Sequence, residues 1–322
     1  MGGHTSGDEI FYEPSRLRDR FPYLAGVETA PINRVMDRTG CPEMMKVNCH
    51  RLSAEEEADM RRGRVISEHT RCGRAEIVSG HPAMLQLIQK GRRIAQNPNV
   101  TVLIRGETGT GKNLFARFIH FSGATNEGPF VEANCSGVTY TSLAAELFGC
   151  ERGDHGSLWV GNKGAFELAD GGTLYLNDIG NMSVRLQARL LRVIEKKRIR
   201  RLGSVDEMDV SVRVIASTTV DLEKALEDGI FREDFYYRLN AIPVELPPLR
   251  ERGEDIIFLA ERFAQLYAQQ YNRHINGFSR SAEKMLMEYA WPGNVRELRS
   301  TIERAIFMGN GDVIEAEQLE LM

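Results

Sequence analysis

Gly106-Glu107-Thr108-Gly109-Thr110-Gly111-Lys112 keeps the spacing G-x-x-x-x-G-K, the loop in which main-chain N–H groups turn inward around phosphate oxygens. The flanks fit that reading. Val100-Thr101-Val102-Leu103-Ile104 is β-branched and apolar, so a buried strand enters the loop. Leu114, Phe115, Phe118 and Ile119 recur at helical spacing, so a helix leaves it. Glycine suits the turn because no side chain blocks the phosphate. Lys112 adds a point charge at the β- and γ-phosphates, and the helix N-terminus adds partial positive charge. The next position is Asn113, where a Ser or Thr hydroxyl would ordinarily meet Mg²⁺.

Working outward, strands and helices alternate. Pro82 opens a helix carrying Met84, Leu85, Leu87, Ile88 and Ile94. Beyond the P-loop come a second strand, Phe130-Val131-Glu132-Ala133-Asn134, and a short helix near Leu143 to Phe148. The third strand, Thr173-Leu174-Tyr175-Leu176, ends at Asn177-Asp178. An acid at the end of an apolar strand is where a P-loop enzyme holds magnesium and orients water. A helix over Leu186 to Ile194 leads to the basic run Lys196-Lys197-Arg198 with Arg200-Arg201. This run reads as a solvated face, with nucleic-acid contact as the alternative. A fourth strand spans Val210 to Ala216, running into Ser217-Thr218-Thr219, and a fifth spans Ala241 to Leu246. Such alternation implies an α/β fold with a five-stranded parallel sheet sandwiched by helices. After Pro247-Pro248 three amphipathic helices follow, a small C-terminal helical lid. The expected domains are a partly flexible N-terminal segment at 1–75, the nucleotide-binding domain at 76–248, the lid at 249–310 and a tail at 311–322.

A chain of 322 residues with 42% hydrophobic residues, 27% charged residues and net charge −4 has ordinary soluble-protein composition. That charge gives no global electrostatic case for nucleic acid. There is no apolar run of about 18 residues, so no membrane span is expected. Five scattered cysteines point to reduced thiols and a cytoplasmic location. Met1-Gly2-Gly3-His4-Thr5-Ser6 formally matches a myristoylation pattern, but the pattern is short and common, so a plain disordered terminus is the favoured reading. Cys41, Cys49, His50, His69 and Cys72 invite a metal reading, but their spacing matches no standard zinc pattern. Ser53-Ala54-Glu55-Glu56 resembles a capping box for a short helix to Arg62.

The ordered motifs GETGTGK, Glu146-Leu147-Phe148-Gly149, Phe166 to Leu174, Phe231-Arg232-Glu233-Asp234, Leu246-Pro247-Pro248-Leu249-Arg250 and Trp291 to Leu298 together resemble the AAA+ domain of bacterial sigma-54-dependent transcriptional activators. The resemblance covers about residues 77 to 310. It implies an AAA+ core that self-associates into a ring, usually a hexamer, or co-assembles with related AAA+ subunits. It also implies ATP/ADP and Mg²⁺ as cofactors and a moving GAFTGA loop that meets sigma-54 RNA polymerase. Carried over by position, Gly106, Glu107, Thr108, Gly109, Thr110, Gly111, Lys112 and Asn113 would line the nucleotide. Asn134 would be the switch residue, Thr219 the sensor closing the fourth strand and Arg296 the lid arginine. Arg232 and Arg238 resemble arginine fingers that stabilise transition-state charge in a neighbouring subunit. About a dozen residues follow Gly311, too few for a helix-turn-helix, so no DNA-binding module is expected.

The departures fall on chemistry and output. The family's Asp-Glu pair is Asn177-Asp178 here. Asn177 offers magnesium a neutral oxygen, and Asp178 is one methylene shorter than the usual catalytic carboxylate. A misplacement of about 1 Å costs on the order of a hundredfold in rate. Thr219 replaces an Asn sensor. Together these changes predict nucleotide binding with slow or absent hydrolysis. GAFTGA becomes Gly153-Asp154-His155-Gly156-Ser157-Leu158, with Trp159 nearby, so ordinary sigma-54 contact is not expected.

Overall fold

The computed structural model describes residues 77–123, 125–151 and 162–321. The expectations for the N-terminal segment, including its cysteines and histidines, and for the Gly153–Leu158 loop lie outside these residues. β1 (Val102–Arg105), β2 (Phe130–Asn134), β3 (Thr173–Asn177), β6 (Arg213–Thr218) and β7 (Ile242–Glu245) form one parallel sheet in the order β2-β3-β6-β1-β7. This is the architecture the sequence predicts, with β1 and its loop between two neighbours. The fourth strand begins three residues later than expected, at Arg213, and runs to Thr218.

Side-chain alternation along the strands builds two cores. Leu103, Leu174, Leu176, Val214 and Ala216 face one side. There they meet α3 (Tyr140–Phe148), α5 (Val184–Lys196) and α7 (Glu233–Leu239). Val102, Ile104, Tyr175, Ile215 and Val244 face the other, against α1 (Pro82–Ala95) and α2 (Lys112–Phe121). Pro82 sits in the first turn of α1, where a missing N–H costs no helical bond. The buried Arg213 guanidinium donates to Ile94 O and Ala95 O, the carbonyls that end α1.

One element was not foreseen. β4 (Arg198–Arg200) and β5 (Glu207–Asp209) form an antiparallel hairpin. The basic run is therefore its first strand. Arg198 pairs with Asp209, Arg200 with Glu207, and Arg201 with the nearly buried Glu167. Those pairings neutralise the three arginines of the run, while Lys197 donates to Val212 O.

The lid comprises α8 (Asp255–Gln270), α9 (Arg280–Glu288), α10 (Asn294–Met308) and α11 (Ala316–Leu319). Residues expected as a tail fold back into it. β9 (Val313–Ile314) pairs with β8 (Gly277–Phe278), burying Ile314, and Leu319 is also buried. Their apolar side chains supply the reason, since a free tail would leave both in water. The lid is also tied to the start of the domain. Asp255 accepts from the Ser79 hydroxyl and from Gly80 N while pairing with buried Arg252.

Candidate functional site

β1 delivers the chain to the P-loop, and α2 begins at Lys112. Gly109 takes φ +82, and a Cβ there would lie 2.0 Å from Gly293 O, so only glycine fits under the lid. Thr110 Oγ1 donates to Glu107 O at 2.9 Å and closes the loop on itself. Lys112 is buried, and its ammonium donates to Gly106 O at 2.7 Å and Glu107 O at 2.9 Å. Burial pulls this lysine below its ordinary pKa, with Asp178 opposing and Arg296 reinforcing the shift. The expected P-loop lysine therefore lies within electrostatic reach of the expected acid and lid arginine. Arg296 itself is exposed at the start of α10.

β2 and β3 end side by side, with Asn134 paired in register to Asn177. Asn134 is exposed, and its Oδ1 accepts from Ser136. Asp178 adopts φ 60, ψ 60 directly after β3. Asp tolerates this left-handed region better than most residues. The Thr219 hydroxyl donates to Asp178 Oδ1 at 3.1 Å, joining the expected sensor to the expected catalytic carboxylate.

The expected magnesium donors are committed elsewhere. Asn177 Oδ1 accepts from Tyr175 Oη at 3.1 Å and Ser217 Oγ at 3.0 Å. Asn113 donates to Glu132 at 2.6 Å and accepts from Arg117 at 2.9 Å, so its amide is held by β2 and α2. Among the described residues no three His, Cys, Asp or Glu side chains group as metal ligands. Magnesium prefers several oxygen donors in near-octahedral order. These residues offer one carboxylate, Asp178, and two engaged amides, so a magnesium ion here would be held chiefly by the phosphates of the nucleotide.

The candidate arginine fingers sit apart from the loop. Arg232 N donates to the buried Gln187, and its guanidinium forks onto Asp234 at 3.0 and 2.7 Å. Arg238 is exposed near the end of α7 and reaches Ile194 O at 3.4 Å. Among the described residues neither pairs with a P-loop group.

Two site residues escaped the sequence reading. Arg250 forks onto the Glu107 carboxylate at 2.6 and 2.9 Å. Asn294 Nδ2 donates to the same carboxylate at 3.0 Å and to Thr108 O at 3.0 Å. These bonds, Arg250's first, hold the Glu107 pKa down to about 2. Both residues stand in motifs the sequence displays, but nothing in a motif says which carboxylate it will find.

Residues 77–245 match the Sigma-54 interaction domain family, and residues 250–322 match the AAA+ ATPase lid domain. The transcriptional regulatory protein ZraR of Klebsiella oxytoca is 43% identical over 76% of this chain and 55% of its own length. Crystal structures of NtrX from Brucella abortus superpose with a TM-score of 0.69, each match covering 76% of this chain and 54% of that one. One is a complex with ADP at 36% identity, the other a complex with ATP at 37%. The chain spans about half the length of these relatives. No helix among the described residues is long and apolar enough to cross a membrane.

Proposed function

Because the chain belongs to the sigma-54 interaction domain family, carried on an AAA+ core with its lid, we propose that it is a cytoplasmic, nucleotide-binding transcriptional regulator with slow or absent hydrolysis. It binds ATP or ADP through P-loop amides and Lys112, and nucleotide state governs its assembly into a ring or with related AAA+ subunits. The observation that carries this reading is the commitment of Asn177 Oδ1 to Tyr175 and Ser217, beside a short Asp178. Grip and chemistry separate here. Main-chain amides and one ammonium supply affinity, whereas hydrolysis needs a carboxylate placed on the attacking water. The NtrX complexes with ADP and ATP support a nucleotide in this kind of pocket.

A second reading has one observation in its favour. Asp178 is oriented by Thr219 beside Lys112, so it is the carboxylate of a working ATPase that remodels sigma-54 polymerase. Phosphate release from purified protein at saturating MgATP separates the two. Turnover that vanishes in Asp178→Ala defeats the first reading, and tight binding without turnover defeats the second.

A further inference from the structure

The P-loop is gripped from outside by two parts of the lid. Arg250 lies in the short 3-10 turn Leu249–Glu251 that links sheet to lid, and Asn294 opens α10. Both end on Glu107. Asn294 also accepts from Leu249 N at 2.7 Å, which ties linker, helix and loop into one closed ring of bonds. Asn294 is fully buried and sits at φ 52, three residues after Trp291 at φ 50. Two left-handed non-glycine residues around one bend persist only where surrounding bonds hold them.

Exposed ion pairs ordinarily contribute little. This one is bidentate, and its carboxylate takes a third donor from the buried Asn294, which fixes geometry as well as charge. Glu107 and Thr108 are the first two variable positions of the cradle. Their outward-facing acceptors are anchored to the lid while Lys112 holds Gly106 O and Glu107 O from within.

We propose that Arg250 and Asn294 are positioning residues for the nucleotide grip: they hold the P-loop from the lid side, so loosening the cradle and lifting the lid are one event. The inference rests on the reading of this loop as a nucleotide site. It predicts that release of nucleotide, more than its capture, is set by these bonds.

Dissociation of a fluorescent ADP analogue from the full chain, followed by stopped flow, tests it. Arg250→Ala speeds release by about tenfold, equivalent to about 1.4 kcal/mol of lost anchoring. Arg250→Lys falls between, since an ammonium keeps the charge but cannot fork. Glu107→Gln acts in the same direction and adds little to Arg250→Ala, as partners in one network do. The Arg250 side chain is 44% exposed, so its replacement spares the fold. A folded Arg250→Ala protein with release within about twofold of wild type overturns the proposal, as does full additivity with Glu107→Gln. Should wild type bind no ADP analogue, the functional reading falls, and the clamp is judged by amide exchange at residues 107–112. Faster exchange in Arg250→Ala then supports it, and unchanged exchange overturns it.

Discussion

The Ser217 hydroxyl donates to Asn177 Oδ1 at 3.0 Å, bonding the end of β6 to the end of β3 at the point where a P-loop ATPase keeps its acids. Tyr175 reaches the same oxygen from below and also meets Ser217 at 2.7 Å. With one proton on each hydroxyl, two of these three contacts are made at a time, and a carboxylate at 177 would draw both protons as readily as an amide draws one. The double variant Asn177→Asp, Asp178→Glu should therefore fold and raise ATP turnover by about a hundredfold, the scale of correcting a misplacement of about 1 Å. Steady-state phosphate release measures it. No gain would mean the barrier lies elsewhere, for instance at the ring interface.

Nucleotide affinity should be nearly indifferent to divalent cations. Asn113 is held by Glu132 and Arg117, and Asn177 by Tyr175 and Ser217, so both amides are already oriented by protein partners. Calorimetric titration of ADP with excess EDTA and with millimolar MgCl₂ should give dissociation constants within about threefold, less than about 0.7 kcal/mol. A loss of about a hundredfold in EDTA would instead place a tightly held ion in the pocket.

Stability should fall on acidification for a reason remote from the P-loop. His120 is fully buried with Nδ1 2.9 Å from Thr173 Oγ1. Burial, and then the nearby Arg213 guanidinium, push its pKa down to about 4. An unfolded histidine titrates near about 6.5. The unfolded chain therefore takes up a proton that the folded chain refuses. This residue's contribution is complete above about pH 6.5, declines by up to about 1.4 kcal/mol per pH unit, and levels off below about pH 4. Urea unfolding between about pH 7 and about pH 5 should show that decline, and His120→Gln should flatten it.

What the sequence disclosed was what lies close along the chain. The P-loop, its strand and its helix are contiguous, so spacing alone places Gly106 to Lys112 against β1. The hairpin Arg198–Arg200 with Glu207–Asp209 was hidden because its first strand carries a single buried residue, Ile199, between two arginines. A charge run and a three-residue edge strand look alike on paper. The lid's hold on the loop was hidden for another reason. Glu107 lies 143 residues from Arg250 and 187 from Asn294. No periodicity joins positions so far apart. Tyr175 stands two residues from Asn177 on one strand, but Ser217 was read as lying past the end of its strand, and only the sheet order that sets β3 beside β6 brings its hydroxyl to Asn177.

Trp291 tests whether the lid's bend is built by packing or by local preference. Its indole is fully buried, its Nε1 donates to Leu286 O at 2.8 Å, and its ring meets Tyr289 edge-on at 5.0 Å. Its backbone sits at φ 50, which a residue of this size adopts only under constraint from its surroundings. Removing the indole leaves a cavity, an unpaired carbonyl at the end of α9 and a strained backbone with nothing to hold it. Trp291→Ala should cost about 3–5 kcal/mol in urea unfolding. Trp291→Phe keeps most of the packing and loses the bond, so it should cost about 1–3 kcal/mol. Because Asn294 follows this bend and reaches Thr108 O, both variants should also expose the P-loop amides to faster hydrogen exchange. A Trp291→Ala protein that loses stability yet protects those amides as wild type does would separate the bend from the loop it covers.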